Sequence, residues 1–234
     1  MVLPAGSVMG QPQRLGQAER QPAPRRRRQD RRRATEEAIV AAFDRLLERG
    51  GVSALGVNAL VKEAGVGKKQ LYDYFGGLAG VAGAWVRERT VWHSLEDIIG
   101  EPWERFVTRP PGEKLRHVNA CYAESLRRNP RLCELLAGEF LRSAEVKEAV
   151  DHVRQLVRRD FERVIASDPA LRAPEMAALN LVAYSCATYL GLRAHHQPVF
   201  FGFDLSSETA WVTVMDMVDR TLERAARAVA EEKR

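Results

Sequence analysis

The fold is decided by residues 59–75, which read ALVKEAGVGKKQLYDYF. Two short helical patterns, residues 59–64 and 68–74, flank the turn Gly65-Val66-Gly67. Gly65 stands where the chain needs a left-handed backbone, which glycine adopts at the least cost. Two helices joined by a short turn that contains glycine form a helix-turn-helix motif. The stretch therefore predicts a DNA-binding domain whose second helix enters the major groove.

The second helix of this motif carries polar side chains that suit DNA. Lysine can reach a phosphate or guanine, glutamine can pair with adenine through two hydrogen bonds, and a tyrosine hydroxyl can hold a phosphate. A solvated surface helix is the ordinary alternative for such residues, but the turn beside them favours DNA. We predict that Asn58 caps the first helix and that the DNA-binding residues are Lys68, Lys69, Gln70, Tyr72, Tyr74 and Asn58.

Residues 35–92 resemble the N-terminal DNA-binding domain of the TetR family of bacterial transcriptional regulators. The resemblance lies in a helix that ends at Gly50, then Leu60-Val61-x-x-Ala64-Gly65-Val66, then Leu71-Tyr72-x-Tyr74-Phe75 and a linking helix. It implies a dimer that binds a palindromic double-stranded DNA operator. It also implies a C-terminal domain that binds a small-molecule effector among its middle helices.

The sequence departs from the family pattern at several positions. Leu55 replaces a usual hydroxyl residue, Gly67 stands where serine is common, and Gln70 replaces a frequent threonine. Gly76-Gly77-Leu78 follows the motif in place of Pro-Ser-Lys, which removes a familiar phosphate contact. Gly80 and Gly83 also fall inside the next helix, where each glycine costs about 1 kcal/mol against alanine. We therefore expect the start of that helix to be only weakly stable.

The N-terminal 33 residues form an arginine-rich segment without apolar periodicity. The whole chain has 36 Lys and Arg against 31 Asp and Glu, a net charge of +5. Nine arginines against two acidic residues give this segment +7, so the remainder is mildly acidic. We predict a disordered arm whose Arg31, Arg32 and Arg33 contact DNA. A solubilising tail, or residues upstream of a true start at Met9, are the alternatives.

The remainder of the chain is typical of helices, so the predicted fold class is all-α, with about nine helices. Thr35 is expected to cap the first helix, and residues 195–203 are expected to form a loop. The predicted domains are the arm (1–33), a DNA-binding domain (34–78, with a linking helix to about residue 93) and a regulatory and dimerisation domain (94–234).

Two features bear on the cellular location. Residues 176–192 carry no charge, but the polar residues among them and their short length favour a helix buried in a bundle over a membrane span. Three cysteines exclude a disulfide framework and fit a reducing compartment. The start also lacks the basic and then apolar pattern of a secretory signal. We therefore expect a cytoplasmic protein.

A ligand pocket between helices is usually lined by aromatic and polarisable side chains with a few polar groups. Such residues give a candidate pocket of Trp103, Phe106, His117, Cys121, Tyr122, Phe140, Tyr184 and Tyr189. His117 and Cys121 lie four residues apart and could begin a metal site with Cys133, but core packing is favoured, and we predict no metal or cofactor. No nucleophile, histidine and acid occur in a catalytic pattern, which argues against an enzyme.

The last helix carries a stripe of apolar residues at spacings of four and three. This stripe predicts a dimer interface formed with the preceding helix, made of Trp211, Met215, Val218, Leu222, Ala225 and Val229. Burial of the same stripe in the protomer's own core is the alternative. The favoured function is a dimeric, ligand-responsive repressor. The alternatives are a helical small-molecule-binding protein or enzyme with a vestigial DNA module, and a non-specific DNA binder that uses the arm.

Overall fold

The computed structural model describes residues 24–90, 94–140 and 143–232. These residues form eleven α-helices, three 3-10 helices and one small hairpin, which confirms the predicted all-α class. The first helices are α1 (Pro24–Gly50), a 3-10 helix (Val52–Ala54), α2 (Val57–Ala64), α3 (Lys68–Phe75), α4 (Leu78–Arg89), α5 (Leu95–Ile99) and α6 (Trp103–Phe106). They are followed by α7 (Pro111–Arg128), α8 (Pro130–Ala137), a 3-10 helix (Gly138–Phe140), α9 (Ala144–Ala166), a 3-10 helix (Pro169–Arg172), α10 (Pro174–His196), strands β1 (Val199–Phe200) and β2 (Phe203–Asp204), and α11 (Glu208–Glu232).

The chain forms two compact units, one up to Ala34 and one of residues 35–234. In the first unit, residues 24–34 are helical, so the prediction of disorder is wrong for residues 24–33. Residues 1–23 of the predicted arm lie outside the described residues. Arginine and glutamine are good helix formers and proline suits a first helical turn, so this segment is helical without an apolar face. Thr35 lies inside α1 and does not cap it.

The first four helices enclose a small apolar core. Phe43 of α1, Leu60 of α2 and Leu71 of α3 are fully buried. Trp85 of α4 packs on Phe43 with the ring centroids 5.6 Å apart. The periodic apolar residues of each short helix therefore face one common centre, which leaves the opposite face of α3 to solvent.

The second half of the chain is a helical bundle built around α7. This helix packs against α10 and α11, while α9 packs against α4. Polar pairs bridge α7 and α10 inside the bundle: Asn119 Nδ2 donates to Asn180 Oδ1 at 3.0 Å, and the Tyr122 and Thr188 hydroxyls lie 2.7 Å apart. These pairs account for Asn180 and Thr188 in the uncharged stretch of α10. No helix among the described residues is long and apolar enough to cross a membrane.

The connection between α10 and α11 is a hairpin and not a loop. His195 and His196 still belong to α10, and β1 pairs with β2 in antiparallel register, with Val199 opposite Asp204. Phe201 and Gly202 form the turn with φ values of 47° and 81°, the left-handed pattern that two-residue hairpins favour. The loop prediction is wrong here because strands of two residues are too short to show an alternating pattern.

The apolar stripe of α11 is covered mainly by the protomer itself. Trp211, Met215 and Leu222 have only 3%, 8% and 0% of their surface exposed. Val218 and Ala225 are half-buried, and the Val229 side chain lies outside the described residues. The predicted interface is therefore wrong for the three buried residues. Spacing shows which face of a helix is apolar, but it does not show whether α7 or a second protomer covers that face.

Candidate DNA-binding surface and ligand grooves

The turn between α2 and α3 has the geometry that the sequence predicts. Gly65 has a φ of 67°, and its N–H donates to the Lys62 carbonyl oxygen. The Val66 N–H donates to the Val61 carbonyl oxygen at 3.1 Å. These two bonds form a Schellman motif, which ends a helix and turns the chain sharply. The turn sets α3 beside α2 as in a helix-turn-helix.

The outer face of α3 gathers most of the predicted DNA-binding residues. Lys68, Lys69, Gln70 and Tyr72 are exposed, and Tyr74 is half-buried. Leu71 lies on the opposite face of α3, fully buried in the core. The structure thus brings these five polar side chains together on one short helix, and their contact with DNA remains a prediction.

Two of these side chains already have partners in the protein. Gln70 Oε1 accepts a hydrogen bond from the Gly67 N–H at 3.1 Å, which is the half of a capping box that the third helical residue supplies. Lys69 Nζ lies 2.7 Å from Asp73 Oδ2, and this hydrogen bond raises the pKa of Lys69. To pair with adenine through both amide atoms, Gln70 must either give up its cap or share Oε1 between the Gly67 N–H and the base.

The N-terminus of α2 is capped by a residue from the bundle. The helix begins at Val57, so Asn58 lies inside it and the prediction that Asn58 caps it is wrong. Glu145, at the start of α9, accepts a hydrogen bond from the Val57 N–H through Oε2 at 3.1 Å. Sequence spacing missed this cap because its two partners lie 88 residues apart. Asn58 is exposed, and its predicted DNA contact stays a prediction.

Helix α8 makes two further polar contacts with the DNA-binding helices. Glu134 Oε1 accepts a hydrogen bond from the Val52 N–H at 3.0 Å. Arg131 is paired with Asp44 of α1 at 2.8 Å. The same carboxylate of Asp44 accepts a hydrogen bond from Trp85 Nε1, also at 2.8 Å. Helices α8 and α9 thus hold the helix-turn-helix by charged groups as well as by packing.

The three arginines predicted to contact DNA from the arm lie on the first part of α1. Arg31, Arg32 and Arg33 are all exposed. An exposed row of guanidinium groups can neutralise phosphates. Their contact with DNA stays a prediction.

Four of the predicted pocket residues form a packed cluster around α6 and α7. The ring centroids of Phe106 lie 5.7 Å from Trp103 and 5.9 Å from His117. His117 Nε2 is 2.8 Å from the Ile99 carbonyl oxygen and 3.7 Å from Cys121 Sγ. Burial raises the pKa of the Cys121 thiol to about 11, so this thiol stays protonated near neutral pH. The described residues contain no group of three or more His, Cys, Asp or Glu placed to hold a metal ion.

Two other predicted pocket residues form an aromatic stack between α7 and α10. The Tyr122 and Tyr184 rings are stacked at 4.7 Å and 13°. Phe161 of α9 meets both rings edge-on. Burial raises the pKa of Tyr122 well above its ordinary value, so its hydroxyl stays neutral. The stacked rings form an apolar wall, and the Tyr184 hydroxyl faces α9.

Two surface grooves lie against this wall. The first, of about 260 Å³, will be called the α9–α10 groove and is lined by Arg154, Arg158, Phe161, Ala177, Asn180, Leu181 and Tyr184. The second, of about 280 Å³, will be called the Tyr189 groove and is lined by Glu139, Phe140, Arg154, Tyr184, Ser185, Thr188, Tyr189 and Leu192. Tyr184 therefore borders both grooves, while Phe140 and Tyr189 border only the second.

Arg154 also borders both grooves, and sequence reasoning missed it. Its Nη1 donates to the Tyr184 hydroxyl at 3.3 Å, and its Nη2 is paired with Glu139. Its Nε is buried and has no hydrogen-bond partner in the described structure. The only sequence signal is a charged residue directly beside the apolar face of α9, which many surface arginines share. Arg154 therefore lines both grooves and has a buried donor without a partner among the described residues.

A third groove lies between α10 and α11 and is almost wholly apolar. It measures about 390 Å³ and is lined by Leu179, Val182, Ala183, Cys186, Phe203, Thr213, Val214, Met217, Val218, Thr221 and Leu222. Val182 and Met217 are each 62% exposed in the protomer. We call this surface the α10–α11 face. A contiguous exposed apolar surface of this kind usually marks a site of interaction with another molecule.

Comparison with known proteins agrees with this geometry. Residues 39–82 match the family model for bacterial regulatory proteins, tetR family. The fold is similar to that of the transcriptional regulator FadR from Bacillus subtilis in complex with stearoyl-CoA, with a TM-score of 0.51 and 14% identity over 80% of this chain and 96% of FadR. No curated protein matches the sequence of this chain. The matched segment contains α2, α3 and the turn between them.

Proposed function

We propose that this chain, whose residues 39–82 match the tetR family model, is a TetR-type regulator: a homodimeric repressor released from a palindromic operator by a small-molecule effector. The observation that carries the proposal is the exposed polar face of α3, held by a helix-turn-helix turn. Each protomer places α3 in a major groove, and the dimer sets the two helices about one DNA turn (~34–36 Å) apart.

The polar contacts between the bundle and the helix-turn-helix supply a route for regulation. Glu145 and Glu134 hold the first backbone N–H groups of α2 and of the preceding 3-10 helix. A shift of α8 or α9 weakens these bonds and changes the angle of the DNA-binding helices. An effector releases DNA only if it binds that shifted arrangement more tightly than the DNA-bound one.

The alternative functions are less well supported. A helical enzyme with a vestigial DNA module needs a catalytic group, and the buried thiol of Cys121, with its raised pKa, is poorly suited to be one. A non-specific DNA binder does not need the polar face of α3. We therefore propose a non-enzymatic regulator that acts in the bacterial cytoplasm, where its DNA lies.

The ligand of FadR guides the size of the proposed effector. FadR was solved with stearoyl-CoA. The α9–α10 and Tyr189 grooves of this chain measure about 260 and 280 Å³, and pockets for drug-sized ligands span about 300–1,000 Å³. A complete long-chain acyl-CoA does not fit either groove, so we propose a smaller effector.

The experiment that tests the proposed function is a selection of bound sequences from random double-stranded DNA at physiological salt. We expect enrichment of a palindrome whose half-sites lie about one DNA turn apart. A flat enrichment would support the non-specific binder, and no bound DNA would support the vestigial module.

We predict that Gln70→Ala and Lys69→Ala change the base preference within each half-site. Either side chain can reach a base edge, and the loss of a two-bond contact should cost about 1–3 kcal/mol at one base pair. Gln70→Glu keeps the acceptor for the Gly67 N–H and removes only the amide donor. A changed base preference in this variant would therefore come from the lost donor and not from a lost helix cap. Tyr74→Phe should weaken all sequences alike. If both alanine variants keep the original base preference, Gln70 and Lys69 of α3 do not recognise the bases.

We predict that removal of residues 1–33 leaves a folded protein with weaker DNA binding. Residues 35–234 are a compact unit without this segment. Each phosphate contact that is lost should lower the slope of log K against log salt by about 0.9. The triple variant Arg31→Gln, Arg32→Gln, Arg33→Gln keeps helix formers in place and should reproduce part of the change. An identical salt slope for all three proteins would show that the arm does not contact DNA.

A further inference from the structure

Among the described residues the structure leaves two arginine donors of the bundle unsatisfied, the Nε–H groups of Arg154 and Arg193, and of these two residues it is Arg154 that lines the α9–α10 and Tyr189 grooves. Arg154 uses Nη1 and Nη2 for Tyr184 and Glu139, but its buried Nε–H has no partner in the described structure. A buried donor without a partner destabilises the fold, because it has lost its hydrogen bonds to water. Such a group in a native fold needs an explanation, and an acceptor that displaces Glu139 and lets the guanidinium group of Arg154 turn into the groove supplies one.

The surroundings of Arg154 define the acceptor. The α9–α10 groove has two guanidinium groups in its lining, those of Arg154 and Arg158, and no carboxylate. Arg158 is largely exposed and is 3.3 Å from Glu162, so it can turn towards an anion at the groove mouth. A carboxylate suits a guanidinium group because its two oxygens can accept two parallel hydrogen bonds.

Apart from Asn180, whose Oδ1 is already bonded to Asn119, and the Tyr184 hydroxyl, the remaining walls of the groove are apolar. Phe161 and Tyr184 meet edge-on at 83° and form the floor. Leu181 is 65% exposed at the rim, where it can close over a bound molecule. The groove volume of about 260 Å³ limits the ligand to a small molecule. A larger one must break the 3.3 Å hydrogen bond between Arg154 and Tyr184 and enter the Tyr189 groove as well.

We propose that the effector is a small carboxylic acid with an apolar body, which Arg154 binds in the α9–α10 groove. This inference rests on the proposed function, and it names the ligand class of its regulatory domain. The carboxylate binds Arg154, with Arg158 as the second cation, and the apolar body lies on Phe161 and Tyr184.

The ligand carboxylate competes with Glu139 for Arg154. Glu139 lies on the 3-10 helix Gly138–Phe140, which directly follows α8. Helix α8 carries Arg131 and Glu134, the two residues that hold Asp44 and the Val52 N–H. When the acid takes Arg154, Glu139 is released, and the end of α8 loses its ion pair with α9. Ligand binding thus changes the contacts of the DNA-binding helices through the 3-10 helix Gly138–Phe140 and α8.

The test is the binding of octanoate and benzoate to the full-length protein in the absence of DNA, measured by calorimetry. Octanamide and benzamide are the neutral probes of the same shape. We expect the acids to bind and each amide to bind at least about tenfold more weakly, as expected for a charge-assisted contact. Octanoyl-CoA is a further probe, and tighter binding of this thioester than of octanoate overturns the inference.

Three variants separate ligand binding from a structural role. Arg154→Gln should weaken octanoate binding at least about tenfold, while Glu139→Gln should strengthen it, because the competing carboxylate is gone. A purely structural ion pair would give weaker binding in both variants. Arg163→Gln is the matched control, since Arg163 lies on α9, pairs with Glu96 and lines neither groove. It should bind octanoate like the unchanged protein.

The outcomes are distinguishable from those of the DNA selection. Failure of both acids to bind at millimolar concentration, or equal binding of acids and amides, overturns this inference. Selection of a palindrome by the same protein then still supports the proposed function. A folded Arg154→Gln variant with unchanged octanoate affinity also overturns the inference. If Arg154→Gln does not fold, Glu139→Gln alone decides, and weaker octanoate binding counts against the inference.

Discussion

Glutamate in place of Val182 or Met217 is expected to convert the proposed dimer to monomers and to abolish operator binding at micromolar concentration. Both side chains are 62% exposed in the protomer, so the protomer itself tolerates a charge there. In the dimer, the second copy would cover the α10–α11 face and remove this charge from water. An unpaired buried charge costs several kcal/mol, which lowers the association constant by a factor of about a thousand or more.

The measurement is sedimentation velocity at several concentrations, with circular dichroism to show that each variant is folded. Val199→Glu is the matched control, because Val199 is similarly exposed, at 66%, but does not line the α10–α11 groove. Leu222→Glu is unsuitable as a test of the dimer, since Leu222 is fully buried in the protomer and its substitution would unfold the chain. If both glutamate variants sediment as dimers, the α10–α11 face is not the interface.

Gly80→Ala is expected to cost about 1–3 kcal/mol of folding free energy and to abolish DNA binding. A Cβ atom on Gly80 would overlap the carbonyl oxygen of Phe75, at the end of α3. Overpacking of this kind forces backbone shifts. The only relief is to move α3 relative to α4, which displaces the exposed residues of α3 from the DNA.

Gly83→Ala, in the same helix, is the matched control. A Cβ on Gly83 would come within 2.6 Å of His152 Nε2, which is the end of a side chain that can rotate away. Alanine also gains about 1 kcal/mol of helix propensity over glycine. We therefore expect Gly83→Ala to be close to neutral in thermal unfolding and to bind the operator. Equal and small effects of the two substitutions would show that α3 and α4 can separate without loss of binding.

The glycines of α4 show where sequence reasoning fell short. Their presence predicted a weakly stable start of α4, because helix propensity scales count only the loss of helix stability that glycine causes. In the structure, Gly80 lies against the backbone of α3 and Gly83 against His152. The helix-turn-helix itself could be predicted because residues close together in the sequence determine it. Gly65, the helices around it and the exposed face of α3 all follow from neighbouring residues.

Features that depend on distant residues could not be predicted in the same way. The apolar stripe of α11 was recognised, but periodicity could not show that Trp211 and Leu222 face the protomer's own core. The pocket prediction found Tyr184 by residue type and missed Arg154, because a charged residue beside an apolar face is common. The glutamate caps were invisible because their partners lie 82 and 88 residues away.

The cap on α2 limits how this protein can evolve or be redesigned. Val57 depends for its cap on Glu145, a residue outside the DNA-reading segment. A chimera that places residues 35–90 of this chain on the bundle of a relative keeps the Val57 N–H but loses its carboxylate partner, unless the relative has an acidic residue at the position of Glu145. A working hybrid therefore has to carry the carboxylate of Glu145 along with the α2 that it caps.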